Sequence, residues 1–166
     1  YIDLHVTDGA KFQHDISIQV EPLHAGDAEL AKAGKDLQTA VIADLTSLGS
    51  LPTAFYPSFA RRDDPSSGFT DRVSPPRFSH SYFQLRNRFG MLVETHSWKD
   101  YPTRVRITRN TIISLLEQVA AHGKQWLQIA HEADKRSANL AGTWVPLDFT
   151  TTAKSKTVEF HGYEYA

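Results

Sequence analysis

The chain has 166 residues and a mass of 18.6 kDa, about one domain's worth of polypeptide and long enough to bury a core without a covalent staple. A hydrophobic share of 40% beside 22% charged residues is globular in character and excludes a disordered or fibrous chain. Eighteen Lys and Arg against nineteen Asp and Glu leave a net charge of −1, which excludes a general electrostatic grip on nucleic acid or on an anionic membrane.

The first segment, YIDLHV (Tyr1 to Val6), alternates apolar and polar residues and predicts a strand ending at Thr7-Asp8-Gly9. DISIQV (15–20) alternates in the same way and predicts a second, followed by a linker through Pro22 and His24 to Asp27. From Asp27 the period changes. Leu30, Ala33, Leu37, Val41, Leu45 and Leu48 fall on one face of a helix, with Asp27 as its N-cap and Gly49 as its stop. Residues 50–78 hold five prolines and no periodicity, and an aperiodic connection of that length reads as a lid or binding loop. Ser79 to Asn87 predicts a short helix with Tyr82, Phe83 and Leu85 partly buried. FGMLVE (89–94) predicts a buried strand that delivers Glu94 at its C-terminal end.

Pro102 then opens a long helix, with Val105, Ile112, Leu116, Val119, Leu127 and Ala130 as its inward stripe. Gly123 marks close approach of another element, and the helix should stop near Leu140 to Gly142. WVPLDF (144–149) and KTVEFHGYEY (156–165) read as two further strands, a β extension after residue 142. Strands alternating with helices imply an α/β layered domain. No apolar run approaches the ~18 residues of a membrane span.

With no cysteine, a metal could be held only by His and carboxylates, and thiol nucleophiles, disulfides and iron–sulfur clusters are excluded. Asp3 and His5, two apart on a strand, share a face. Imidazole is a good zinc ligand, and a carboxylate beside it can orient the ring; the bland alternative is a hydrogen-bonded loop histidine. Glu94 closes an apolar run, where burial would raise its pKa and suit it to general acid–base work; otherwise it emerges into solvent beside Lys99 or Arg104. His96 shares the face of Glu94 and is expected behind the site rather than as a ligand. One of Arg77, Arg86, Arg88 and Arg104 is expected to meet a substrate carboxylate through a bidentate fork, and Tyr82 either caps the same edge or packs. His131 and Asp134 share a helix face but stand in a polar stretch and read as solvated. Phe160, Tyr163 and Tyr165 read as a strand face packed on the domain.

Two segments, YIDLHVTDGAKFQHD (1–15) and PPRFSHSYFQLRNRFGMLVETHSWKDYPTRV (75–105), together resemble the zinc carboxypeptidases of the carboxypeptidase A superfamily, in particular a bacterial branch. The resemblance implies a three-layer α/β fold, a mixed β-sheet between helices. It implies zinc as cofactor, His5 as the third zinc ligand, and Glu94 as the base that activates water and then protonates the leaving amine. It makes Tyr82 and Arg88 candidates for substrate binding and Asp3 and His96 supports behind the ligands. The family's first two ligands come from a His-x-x-Glu motif before the third, and no such motif precedes His5. The implied reading is the C-terminal half of a catalytic domain over residues 1–142, inactive alone and weak in zinc, cleaving C-terminal peptide bonds or related acyl-amino-acid amides when whole. It also implies self-association through the surface left open, and export to the periplasm or beyond. The alternatives are a non-catalytic binding or assembly module on the same scaffold and, more remotely, a carbohydrate-binding domain with an aromatic tail.

Overall fold

Alternation decides which way the strands face. In the computed structural model, which describes residues 1–7 and 11–164, β1 (Ile2–Thr7), β2 (Ile16–Glu21), β3 (Pro52–Thr53) and β4 (Gly90–His96) form one sheet in the order β1-β4-β2-β3. β1 runs parallel to β4, β4 antiparallel to β2, and β2 parallel to β3, so the sheet is mixed. The turn read at Asp8-Gly9, and Tyr165, lie outside the described residues.

One sheet face carries Ile16, Ile18, Val20, Met91 and Val93, all buried, with Ile2 at its margin. Against it pack α1 (Ala28–Ser47) and α3 (Tyr101–Ala138), which also pack on each other. α1 presents the expected Leu30, Ala33, Leu37, Val41 and Leu45 inward, and Leu48 stays exposed. Its first turn is capped as read: the Asp27 carboxylate accepts from the Glu29 and Leu30 amides, and the chain leaves through Gly49 at φ +81°.

α3 corrects the expected stripe. Ile107, Thr111, Ser114, Ala130 and Ala133 face inward, while Val105, Leu116, Val119 and Leu127 are exposed. Two helices this close favour small residues at the contact, and the polar ones there are satisfied. The Thr111 hydroxyl donates to the Ile107 carbonyl (2.9 Å) and that of Ser114 to Asp44 Oδ2 (2.6 Å). Gly123 is no close-approach point either, since an added Cβ would meet only Val119 of its own helix, at 3.4 Å.

The opposite sheet face carries Asp3, His5, Thr7, Ser17, Gln19, Glu21, Leu92, Glu94 and His96, the other half of the same alternation. α2 (Ser79–Leu85) lies on it, so the sheet is covered on both faces. Because this face is polar, α2 buries His80, Ser81 and Gln84; of the residues expected to be partly buried, Phe83 is so, stacked on Tyr1, while Tyr82 and Leu85 are exposed. Gly90 makes the seat possible, since a Cβ there would collide with the His80 backbone.

The long connection folds back on itself. Phe59 bridges and stacks on Phe69 (5.5 Å), around a 3₁₀ turn at Pro65–Ser67. The tail overturns its reading: residues 143–164 hold no strand, only an isolated bridge from Gly162 to Phe12. The apolar residues of WVPLDF have no neighbouring strand to pair with, and Trp144 and Leu147 are almost fully exposed.

Candidate functional site

Register builds the site. Because β1 and β4 run parallel with Asp3 opposite Leu92, His5 stands directly opposite Glu94, and Thr7 opposite His96. Residues paired this way on adjacent strands share a face and are separated by one inter-strand spacing, about 4.8 Å. On the far side of Glu94, Ser17 of β2 is its partner. The chain therefore brings an imidazole, a carboxylate and a hydroxyl into one row across three strands.

The imidazole is oriented from behind. Asp3 Oδ1 lies 3.0 Å from His5 Nε2, and Asp3 Oδ2 accepts a short hydrogen bond from the Ser79 hydroxyl at the start of α2. Asp3 thus ties the first strand to the helix above it and fixes the ring edge that faces the strand. The His5 side chain remains 52% exposed, open to the cleft, whereas Glu94 is only 8% exposed. His96 is fully buried, its ring 4.0 Å from that of Phe12 and its Nδ1 accepting from the Trp98 amide (3.3 Å). That is a packed supporting position.

Above this row lies a cleft of about 1770 Å³, floored by Asp3, His5, Gln19 and Glu94 and walled by α2 and the folded-back connection. One wall is held by His24, which lies 2.7 Å through Nδ1 from Glu21 Oε1 and 3.1 Å through Nε2 from Asp71 Oδ2. The hydrogen bonds to Asp71 and then Glu21 raise His24 to about 10, so it is an imidazolium clamp between the end of β2 and the connection. Among the described residues His80, under α2, is buried with no hydrogen-bond partner on either ring nitrogen, and burial lowers its pKa. Burial likewise lowers His14.

Two expected substrate contacts are elsewhere. Arg88 forks onto Asp134 of α3 (3.0 and 2.9 Å), and Tyr82 sits edge-on to Phe83 on the outer side of α2, 51% exposed. Both line a shallower groove there, not the cleft. The physical reason is local: with His80, Ser81 and Gln84 turned toward the sheet, Tyr82 turns away, and Arg88 stands beyond the helix end within reach of α3. Asp134, read as solvated, is thereby the anchor of Arg88, which holds its carboxyl below the usual range. Of the four arginines singled out, Arg77 is the one that lines the cleft.

Sequence reasoning missed Ser17, Ser79, His80 and the His24 clamp. The alternation of ISIQVE already placed Ser17, Gln19 and Glu21 on one face. Nothing local marked Ser79 or His80, because a short helix packing polar side down carries no apolar period.

A zinc ion would find on this face one imidazole backed by a carboxylate, with a second carboxylate beside it. Catalytic zinc takes three protein ligands, and among the described residues no group of three His, Asp or Glu stands close enough to hold a metal ion. The chain's own His-x-x-Glu spacing, His161 to Glu164, falls after β1 rather than before it, and His161 packs on His14 at 5.6 Å. The donors present fit one corner of such a centre. Among the described residues no helix is long and apolar enough to cross a membrane. Comparison with protein-family models, with curated proteins and with solved structures returned no match.

Proposed function

We propose that this chain carries the third metal ligand and the general base of a zinc metallocarboxypeptidase centre, the other ligands coming from residues outside these 166. One observation carries the reading: His5 and Glu94 stand opposite each other in the β1–β4 register, with Asp3 on Nε2 of the same imidazole. The carboxylate at Nε2 favours the tautomer protonated there and leaves the Nδ1 lone pair as the donor toward a metal. Zinc, when bound, supplies a polarised carbonyl and a water of lowered pKa.

The remaining work falls to this chain. Glu94, buried beside His5, takes the proton of the attacking water and returns it to the leaving amine. The cleft orients an extended substrate, and Arg77, on its wall with Arg72, is suited to a carboxylate. The partner is thus a peptide, or a related acyl-amino acid, handled in an exported enzyme.

The test is made on the polypeptide that includes the upstream sequence. It should release C-terminal residues from a peptide in a zinc-dependent way, and Glu94→Gln should lower kcat roughly 10³-fold with little change in zinc content. The 166-residue chain alone should be inactive and show only weak zinc binding by isothermal titration. Full activity of the Glu94→Gln enzyme would refute the assignment. The lack of a three-ligand group favours, as second reading, a non-catalytic binding module on this scaffold; a longer polypeptide that binds peptide without hydrolysing it would establish that instead.

A further inference from the structure

The tail returns to the sheet at one place. Phe160 inserts its ring among those of His14 (4.6 Å), Phe69 (4.5 Å), Phe12 (5.6 Å) and Phe55 (6.1 Å). Its backbone neighbours pair with the segment before β2. The Gln13 amide donates to the His161 carbonyl (2.8 Å), the Gln13 side chain to the Gly162 carbonyl (3.0 Å), and the His161 amide to His14 Nε2 (3.3 Å). This single antiparallel bridge lays an extended segment along the chain before β2, a short version of the way many domains hold peptides.

What lies beneath the anchor gives it meaning. Phe12 covers His96, and the Ser17 hydroxyl, beside Glu94 in the sheet, donates to the Phe55 carbonyl (2.9 Å). The aromatic cluster is therefore a roof over the Ser17 and His96 end of the polar face, beside Glu94, and Phe160 is the piece of roof contributed by the tail. Before it, Val145, Leu147 and Phe149 line the cleft, and residues 144–158 have no regular structure. A segment anchored by the rings of Phe160 and His161 and a few hydrogen bonds opens locally at far lower free energy than the sheet unfolds.

We infer that residues 159–163 are a displaceable strap over the Ser17 and His96 end of the polar face, beside the cleft, held in cis where an extended peptide would otherwise lie. The idea rests on the reading of the Glu94 face as the site, but its test does not use catalysis. The chain has no cysteine, so one introduced thiol reports its own exposure. Ser17→Cys reads the roofed face. Val93→Cys, on the apolar face, reads global opening. Each is labelled with a maleimide in the full chain, with and without Phe160→Ala.

The Ser17→Cys thiol should be protected while Phe160 is present, and Phe160→Ala should speed its labelling about tenfold or more, the scale of a lost local anchor. Val93→Cys should keep its slow rate in both backgrounds. Three results overturn the strap: fast labelling at position 17 with Phe160 in place, no change on Phe160→Ala, or parallel acceleration at positions 17 and 93. An intact strap here, together with no peptidase activity in a longer polypeptide that contains this chain, would refute the hydrolase reading and leave the strap standing.

Discussion

Gly90→Ala strikes the contact that roofs the site. An added Cβ would fall inside the van der Waals shells of His80 Cα and O and only 2.8 Å from its carbonyl carbon. Carbon–carbon contacts are comfortable at about 3.5–4.0 Å, so α2 would have to lift by about an ångström. All three atoms are backbone, and no rotamer change relieves the clash. We expect a loss of about 3 kcal/mol, the upper end of ordinary overpacking. At roughly 2–4 °C per kcal/mol for a chain of this size, Tm should drop by about 6–12 °C. Urea unfolding followed by circular dichroism measures the loss. Amide exchange then shows where it acts: protection should fall across Ser79–Leu85 more than across α1. Lifting α2 also withdraws Ser79 from Asp3, so the orientation of His5 should relax with it. A variant within about 0.5 kcal/mol of the parent, the range of an ordinary surface change, would refute this seating and remove one wall of the cleft.

Histidines set the pH profile from both sides. His80 and His14 are lowered by burial, so each binds its proton more readily in the unfolded chain, and the stability present above about 6.5 should decline as pH falls below it. His24 is raised to about 10, so its contribution is complete below 6.5 and is lost as pH rises through 10; His24→Gln should remove that alkaline limb from a series of urea titrations. The outer edge of β1 exposes Leu4 and Val6, and α3 exposes Leu116 and Leu127. Sedimentation should therefore show concentration-dependent association of the isolated chain, weakened by Leu116→Lys with Leu127→Lys, whereas a monomer at all concentrations would contradict that expectation.

How much of this was legible follows from which physical signal each element carries. α1 was readable because most of its inward residues, Leu30, Ala33, Leu37, Val41 and Leu45, keep an apolar helical period, and its cap is a local Asp27 motif. α3 was readable as a helix but not in its orientation. Ser114 meets α1 through Asp44, and of the apolar residues that drew attention Ala130 is buried while Val105, Leu116, Val119 and Leu127 lie outside. The tail was misread because strand-like composition forms no strand without an edge to pair with, and only the residues around Gly162 reach one.

The site was half visible. Alternation alone put Asp3 with His5 and Glu94 with His96, but the register that sets His5 against Glu94 is a pairing between distant parts of the chain. The arginine was expected at Arg88, and the fork formed there, onto Asp134 rather than into the cleft. Polar residues buried by a polar-faced helix, such as His80, leave no trace in hydropathy, and neither does Ser79 on Asp3.

Adjacency of positions 5 and 94 on one sheet face underlies everything claimed for the site. In a chain without cysteine, His5→Cys combined with Glu94→Cys tests it by mild oxidation and mass spectrometry of the non-reduced protein. Neighbouring strands hold paired Cα atoms within the roughly 4.4–6.8 Å that a disulfide requires, so the pair should close. Leu4→Cys with Glu94→Cys, whose side chains leave opposite faces, should stay reduced. A pair at 5 and 94 that remains reduced in the folded chain, or one that closes no better than the pair at 4 and 94, would contradict the account.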